Sequence, residues 1–343
     1  MDVNNLSQWF IKNKRELPWR KNPSPYHVLV SEVMLQQTQV NVVLDYYQRW
    51  MKVFPTLDDL AKAPLEVVIK IWEGLGYYSR ARRLHQAACY IKEHFQSHIP
   101  SEYEQLISIK GIGPYTAGAL LSFAFHQKKA AVDGNVLRVI ARLNGIEEDI
   151  SKACVVKKIT TIVENALPET EPWVAMEALI ELGALVCKKK PECFKCPLKK
   201  ECRAFNEGLE GTIPFKKKGE SVIKLTRQVF LIESGGQYLV RYHQEQKLMQ
   251  GLYEFPYYTI EKETFLQTLP SEFLELIPSS LEFMKEKVDH SFTRYQVRLF
   301  PYSCTVSNRL EIKGYQWIDK KVLAELPFSS GHRKILSLLY QRV

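Results

Sequence analysis

The sequence predicts a multidomain protein in which an all-α domain precedes a smaller α+β domain. Three observations carry that prediction. At 343 residues, 45% hydrophobic and 25% charged, the chain is long enough for two cores, and its composition excludes the disordered and collagen-like classes. Apolar residues recur at three- and four-residue spacing up to about residue 186, and at a spacing of two beyond residue 222. Between these regimes, residues 206–221 (NEGLEGTIPFKKKGES) combine Gly, Pro and a Lys run, the composition of a linker. No apolar run approaches the ~20 residues that a membrane-spanning helix needs. The first residues, Met1-Asp2-Val3-Asn4-Asn5, show neither a basic start with an apolar stretch nor a transit pattern, so the expected location is cytoplasmic.

In chain order, residues 38–54, 64–75, 79–96 and 151–166 read as helices, punctuated by Pro55, Pro64, Pro100, Pro168 and Pro172. Ser101 and Glu104, ahead of Leu106-Ile107, have the pattern of a capping box. Within residues 106–117 (LISIKGIGPYTA) one helix runs into Gly111-Ile112-Gly113 and a second leaves from Pro114, a residue suited to a first helical turn. The glycines permit a tight turn, and the free N–H groups of the second helix then point outward, as a DNA phosphate requires. Asp133 opens another helical run in the position of an N-cap. Beyond the linker, residues 228–233 and 237–242 flank Ser234-Gly235-Gly236 as a hairpin. Residues 295–302 and 314–318 read as further strands, and 332–342 as a closing helix.

The net charge of +9 is concentrated in one place. Residues 187–203 hold seven Lys/Arg against two acidic side chains, whereas residues 222–343 hold 16 against 13. A short basic segment suits a phosphate-facing loop, with solubility as the bland alternative. The same segment carries four of the seven cysteines, spaced Cys187-x5-Cys193-x2-Cys196-x5-Cys202, while Cys89, Cys154 and Cys304 lie singly. An odd count without a secretory signal argues against a disulfide framework, and four clustered thiols among cations form a metal-site pattern. Zinc and an iron–sulfur cluster both accept four Cys ligands. Zinc ribbons pair two short knuckles, so one short spacing between two longer ones leans to a cubane cluster.

Together these features resemble a known family. The hairpin, the aspartate about twenty residues after it and the four-Cys segment behind the helical part resemble the helix-hairpin-helix DNA glycosylases of the endonuclease III superfamily. More narrowly, residues 17–20 (LPWR), 31–40 (SEVMLQQTQV) and 74–81 (GLGYYSRA) resemble the MutY family of adenine DNA glycosylases, densely over residues 5–205 and loosely beyond. The C-terminal part resembles that family's MutT-like (Nudix-like) domain, most clearly at residues 251–256 (GLYEFP). The Arg-Glu-x-x-Glu-Glu run that a pyrophosphohydrolase needs for magnesium is absent from residues 257–290, so a reader of the opposite base is expected there rather than a second enzyme.

The resemblance implies a helical glycosylase domain over residues 1–205, with its hairpin at 106–117 and a cluster loop at 187–202. A linker at 206–221 and a MutT-like 8-oxoguanine recognition domain at 222–343 follow. It implies one [4Fe-4S] cluster per chain, held by Cys187, Cys193, Cys196 and Cys202. It further implies a monomeric protein acting on double-stranded DNA with 8-oxoguanine:adenine or guanine:adenine mispairs, and the missing transit segment fits a bacterial protein. Two departures stand out. The first Cys spacing is five residues where the family has six, and the family's His-x-Phe-Ser-His motif reads His290-Ser291-Phe292-Thr293-Arg294.

Excising adenine in base excision repair requires a proton on the departing base and stabilisation of an oxocarbenium-like sugar. Glu32 lies among Val30, Val33, Met34 and Leu35, so burial would raise its pKa and keep it protonated near neutrality, fit to donate to adenine N7. Asp133 is expected to be better solvated at its helix start and to stay ionised against the sugar cation. The base must also leave the duplex. The resemblance implies that Tyr115 and Asn135 flank the acidic pair, and that Gln37 and Tyr77 pry open the stack with Leu75 behind them. It implies that Arg20 and Glu177 meet the adenine edge, while Thr38, Gly111, Gly113, Phe292, Thr293 and Arg294 complete the DNA-facing set. Two other readings compete. A bifunctional endonuclease III-like glycosylase/lyase acting on oxidised pyrimidines needs a Lys two residues after the second hairpin glycine, where this chain has Tyr115. A non-catalytic damage-binding module would need neither Glu32 nor Asp133.

Overall fold

The computed structural model describes residues 1–217, 221–244, 249–260, 281–284 and 286–341. The chain forms two compact units, Met1–Lys62 with Arg83–Gly219 and Ala63–Arg82 with Glu220–Val343. No helix among the described residues is long and apolar enough to cross a membrane.

The first unit is helical, and its packing follows the apolar periodicity. Helices Val3–Asn13 and Gly134–Asn144 both pack on Pro172–Leu185, whose Ala175, Met176, Leu179 and Leu182 are buried. Helix Pro25–Leu35 starts at Ser24, whose hydroxyl accepts from the His27 N–H, and packs on Val40–Val53 and Pro114–Ala119. It is apolar on nearly every side and buried from Val28 to Met34, which takes Glu32 inside with it. The hairpin pairs Tyr103–Ser108 with Pro114–Ala119, Pro114 being the first helical residue. Gly111 turns at φ +108°, where a Cβ would lie 2.8 Å from the Arg83 carbonyl oxygen, so only glycine fits. The expected capping box does not form. Glu102 is the N-cap and makes no side-chain cap bond, leaving the Ser101/Glu104 pair one residue out of register.

The second unit is built on a mixed sheet. Strands β1 (Ile223–Ser234) and β2 (Gln237–Tyr242) form the expected hairpin, with Ser234 opposite Gln237 and Gly235-Gly236 at φ +56° and +81° in the turn. β3 (Tyr253–Glu254) joins β2, and β4 (Tyr257–Thr259) joins β1. β5 (Glu282–Phe283) and β6 (Val288–Phe292) join β7 (Tyr295–Thr305), which runs parallel to β1, and β8 (Tyr315–Asp319) joins β2. Helix Ser330–Gln341 covers one face, packing Ile335 and Leu336 on Val229, Leu231 and Leu299. Phe230, Ile232 and Leu239 point to the other face, so alternation along β1 buries both sides.

Residues 63–82 correct the expected boundary between the domains. The sequence reading places them in the helical domain, but they pack with the sheet unit. Lys70 Nζ donates to the carbonyls of Ala324 (2.6 Å) and Leu326 (3.1 Å), and Glu73 accepts from Phe328 N–H (2.9 Å) and Arg333 Nε (2.7 Å). These tertiary bonds decide which core the helix Leu65–Trp72 joins. Residues 261–280, most of the stretch scanned for a magnesium-binding helix, and three linker residues (218–220) lie outside the described residues.

Candidate active site

A cleft of about 1100 Å³ in the helical unit is lined by Glu32, Tyr115, Asp133, Asn135, Arg20 and Glu177, together with Gln37 and Thr38, so eight of the sequence-predicted residues meet at one place. Glu32 is 7% exposed, and the Tyr115 hydroxyl donates to its Oε2 at 2.5 Å. Burial pushes the Glu32 carboxyl up to about 7. The Tyr115 bond opposes the rise, and the nearby Asp133 and Glu177 charges add to it. Tyr115 itself rises well above the usual phenol range through burial and the adjoining carboxylates, so it stays a donor.

Asp133 caps the helix Gly134–Asn144. Its Oδ1 accepts from the N–H groups of Asn135 (2.9 Å) and Val136 (2.8 Å), and its Oδ2 from Asn135 Nδ2 (2.7 Å). The expectation of better solvation is corrected here. Burial is the largest influence and raises the Asp133 carboxyl, opposed by these three hydrogen bonds and by Arg138. Its charge is held by donors and a helix N-terminus rather than by water.

Arg20 reaches Glu177 Oε1 (3.2 Å) and Glu181 Oε2 (2.9 Å), and Arg15 Nε reaches Glu181 Oε1 (2.6 Å). Burial pushes Glu177 up. Burial also pushes on Glu181, but its Arg15 and Arg20 bonds prevail and hold it below the usual range. Sequence reasoning missed Glu181, although two carboxylates four apart in the apolar run PWVAMEALIELGAL were a usable signal. It also missed Arg138, which donates to Asn135 Oδ1 (2.8 Å), Gly183 O (2.9 Å) and Cys187 O (2.6 Å).

Two short 3₁₀ turns, Cys193–Lys195 and Lys199–Glu201, shape the four-cysteine loop: Cys193 opens the first, Cys196 and Cys202 follow the first and second, and Cys187 precedes both. Arg142, 3% exposed, donates to Cys187 Sγ (3.4 Å) and to the carbonyls of Lys188 (2.7 Å) and Lys189 (3.2 Å). Burial pushes Cys193, Cys196 and Cys202 up, the Glu210 charge adds to the rise at Cys193, and the neighbouring thiols add to it at all three. Among the described residues, no three His, Cys, Asp or Glu side chains converge tightly enough to share a single metal ion.

The DNA-facing set divides in two. Gln37 and Thr38 line the cleft, Gln37 at φ +57°, while Gly111 and Gly113 are exposed in the hairpin. In the sheet unit, a second pocket of about 390 Å³ brings Leu75 and Tyr77 against Phe292 and Thr293. Tyr77, 44% exposed, and Thr293 both sit at φ +49°, conformations that non-glycine residues rarely adopt. Thr293-Arg294 is the two-residue turn between β6 and β7. Arg80, also missed, fixes the 74–79 turn by donating to the carbonyls of Leu75 (3.3 Å) and Gly76 (3.2 Å) beneath the Tyr77 ring. Arg294 does not line the pocket and lies over the Tyr295 ring instead.

Comparisons with known proteins extend this picture. The pattern of the HhH-GPD superfamily base excision DNA repair proteins matches residues 30–165, and that of the NUDIX domain matches 228–338. An adenine DNA glycosylase of Buchnera aphidicola subsp. Baizongia pistaciae is 36% identical over 245 residues, 71% of this chain and 69% of that protein. The adenine DNA glycosylase of Rattus norvegicus is 43% identical over 219 residues, which cover 61% of this chain but 42% of the rat protein. The chain thus spans about two-fifths of the length of that relative. Among solved structures, a thermostable thymine-DNA glycosylase superposes with a TM-score of 0.55 at 25% identity, covering 60% of this chain and 95% of that one. A trapped endonuclease III–DNA intermediate superposes with a TM-score of 0.52 at 23% identity over 60% of this chain and 95% of that one, a likeness of fold.

Proposed function

The chain belongs to the adenine DNA glycosylase family, and from that premise we propose that it removes adenine mispaired with 8-oxoguanine or guanine in double-stranded DNA. The observation that carries the reading is the pairing, in one cleft, of a carboxyl raised to about 7 with a second carboxyl held by three donors. Glu32 keeps its proton near neutrality and delivers it to N7 of the extruded adenine, and Tyr115 orients the acid. Asp133 stays ionised against the oxocarbenium-like sugar, and Asn135 fixes its rotamer. Arg20 and Glu177 present a donor and an acceptor to the base edge. Gln37 and Tyr77 occupy the gap left in the stack, while Phe292 and Thr293 read the opposite base. The hairpin glycines let N–H groups approach the backbone phosphate.

The thiol group suits a [4Fe-4S] cluster. Four soft donors lie within sixteen residues, near enough that neighbouring thiols raise the pKa of three of them, and Arg142 ties Cys187 to the loop. Cys187, Cys193, Cys196 and Cys202 would hold it. Its chemistry there would be structural, with the four thiolates binding iron and rigidifying the basic loop. Tyr115, where a lyase requires Lys, supports a monofunctional enzyme.

The test is an excision assay on duplexes containing 8-oxoguanine:adenine, guanine:adenine or an oxidised pyrimidine. Adenine release with strand breaks only after alkali is expected. Cleavage at oxidised pyrimidines, or strand scission without alkali, would point to the bifunctional reading instead.

A further inference from the structure

The cleft has a rim that the excision chemistry leaves unused. His126 and Trp173 both line it, their rings stacked with centroids 4.1 Å apart and planes at 24°. Strained backbone presents both. His126 sits at φ +55°, and Glu171, two residues before Trp173, at φ +52°. The chain reaches His126 from the π-helical turn Leu120–Ala124, a rare geometry that concentrates at functional sites. Bonds from Phe125 N–H to Leu120 O (3.1 Å) and Gln127 N–H to Leu121 O (2.8 Å) hold that turn.

Core packing does not account for the arrangement, because His126 is exposed and Trp173 only half-buried. The lysines that follow His126 in the chain do not either. Lys128 pairs with Glu169 (2.6 Å) and Lys129 with Glu164 (2.7 Å). What remains is a rigid aromatic face with a polar tip at the edge of a cleft of about 1100 Å³, above the roughly 300–1,000 Å³ of ordinary small-ligand pockets.

We propose that the His126–Trp173 stack is a nucleotide platform, on which the base adjoining the extruded adenosine in the same strand rests while the imidazole donates to its phosphate. The inference rests on reading this cleft as the adenine pocket. Base–aromatic stacking supplies the affinity, and the strain keeps the face presented before DNA arrives.

The test uses the full chain and a duplex with a non-hydrolysable adenosine opposite 8-oxoguanine, measuring Kd and thermal midpoint. Trp173→Ala and His126→Gly should each weaken binding about tenfold. Trp173→Phe, which keeps a ring, should stay within about threefold. His126→Gly should keep close to the wild-type melting temperature, since relief of the left-handed φ offsets the extra freedom glycine gives the unfolded chain. Unchanged stability with a loss in affinity is a split that a structural role would not produce. Removing the base on one side of the extruded adenosine should weaken wild-type binding and leave Trp173→Ala unaffected. Binding by both variants within twofold of wild type, or a loss that merely tracks melting temperature, would overturn the proposal. Wild-type protein that binds this duplex but releases no adenine from the cleavable one would count against the functional reading and leave the platform standing.

Discussion

At Glu32 burial and a hydrogen bond pull in opposite directions, and burial wins, lifting the carboxyl to about 7. Because the acid must be protonated to act, single-turnover excision should fall about tenfold per pH unit above that value, and the pH–rate profile checks it. Stability carries the same sign. The folded pKa exceeds the unfolded one, so the contribution is fully present below about pH 4.5 and lost as pH rises through about 7. Glu32→Gln should therefore be more stable than wild type by about 1–3 kcal/mol at pH 8 and no more stable near pH 4, read from urea titrations at the two pH values. The apolar neighbours of Glu32 made its burial legible in the sequence. The surroundings of Asp133 were not legible, because the cleft that buries it is assembled from segments far apart in the chain. Glu181 was hidden for the same reason, its partners Arg15 and Arg20 lying over 150 residues away.

Among the elements, the basic cluster loop supplies the most specific expectation. Glu192 pairs with both Lys188 and Lys195, and the two lysines hold its carboxyl down at about 2. Those cations are already partly neutralised, whereas Lys189 and Lys190 are exposed and make no ion pair among the described residues. Replacing Lys189 and Lys190 by Ala should lower the salt dependence of DNA binding by about one to two counterions, and Lys195→Ala by less, measured as the slope of log K against log salt. The longer helices and the Gly235-Gly236 hairpin were readable from period and turn chemistry. Strands as short as Tyr253–Glu254 and Glu282–Phe283 were not, since two residues carry no period. β6 escaped because its turn, Thr293-Arg294, has no glycine to announce it. The allegiance of residues 63–82 depends on bonds to residues 324–333, which no local pattern encodes.

Across the whole molecule, Tyr77 and Thr293 line the same pocket, so on the proposed function base extrusion and reading of the opposite base share one unit. A truncation at the linker would strip residues 63–82 of their partners and confuse recognition with folding, so point substitutions are the cleaner probe. Thr293→Val, which loses a hydroxyl at nearly constant shape, should lower the preference for 8-oxoguanine:adenine over guanine:adenine about three- to tenfold, measured by excision from both duplexes. Arg294→Ala, outside the pocket, should lower affinity for both about equally. All of this presupposes that Glu32 supplies the proton. The most direct test is single-turnover adenine release from an 8-oxoguanine:adenine duplex, at saturating enzyme, by wild type and Glu32→Gln side by side. The account predicts that the variant binds the duplex as wild type does and releases adenine at least about a hundredfold more slowly. Release by the variant within about threefold of wild type would contradict it.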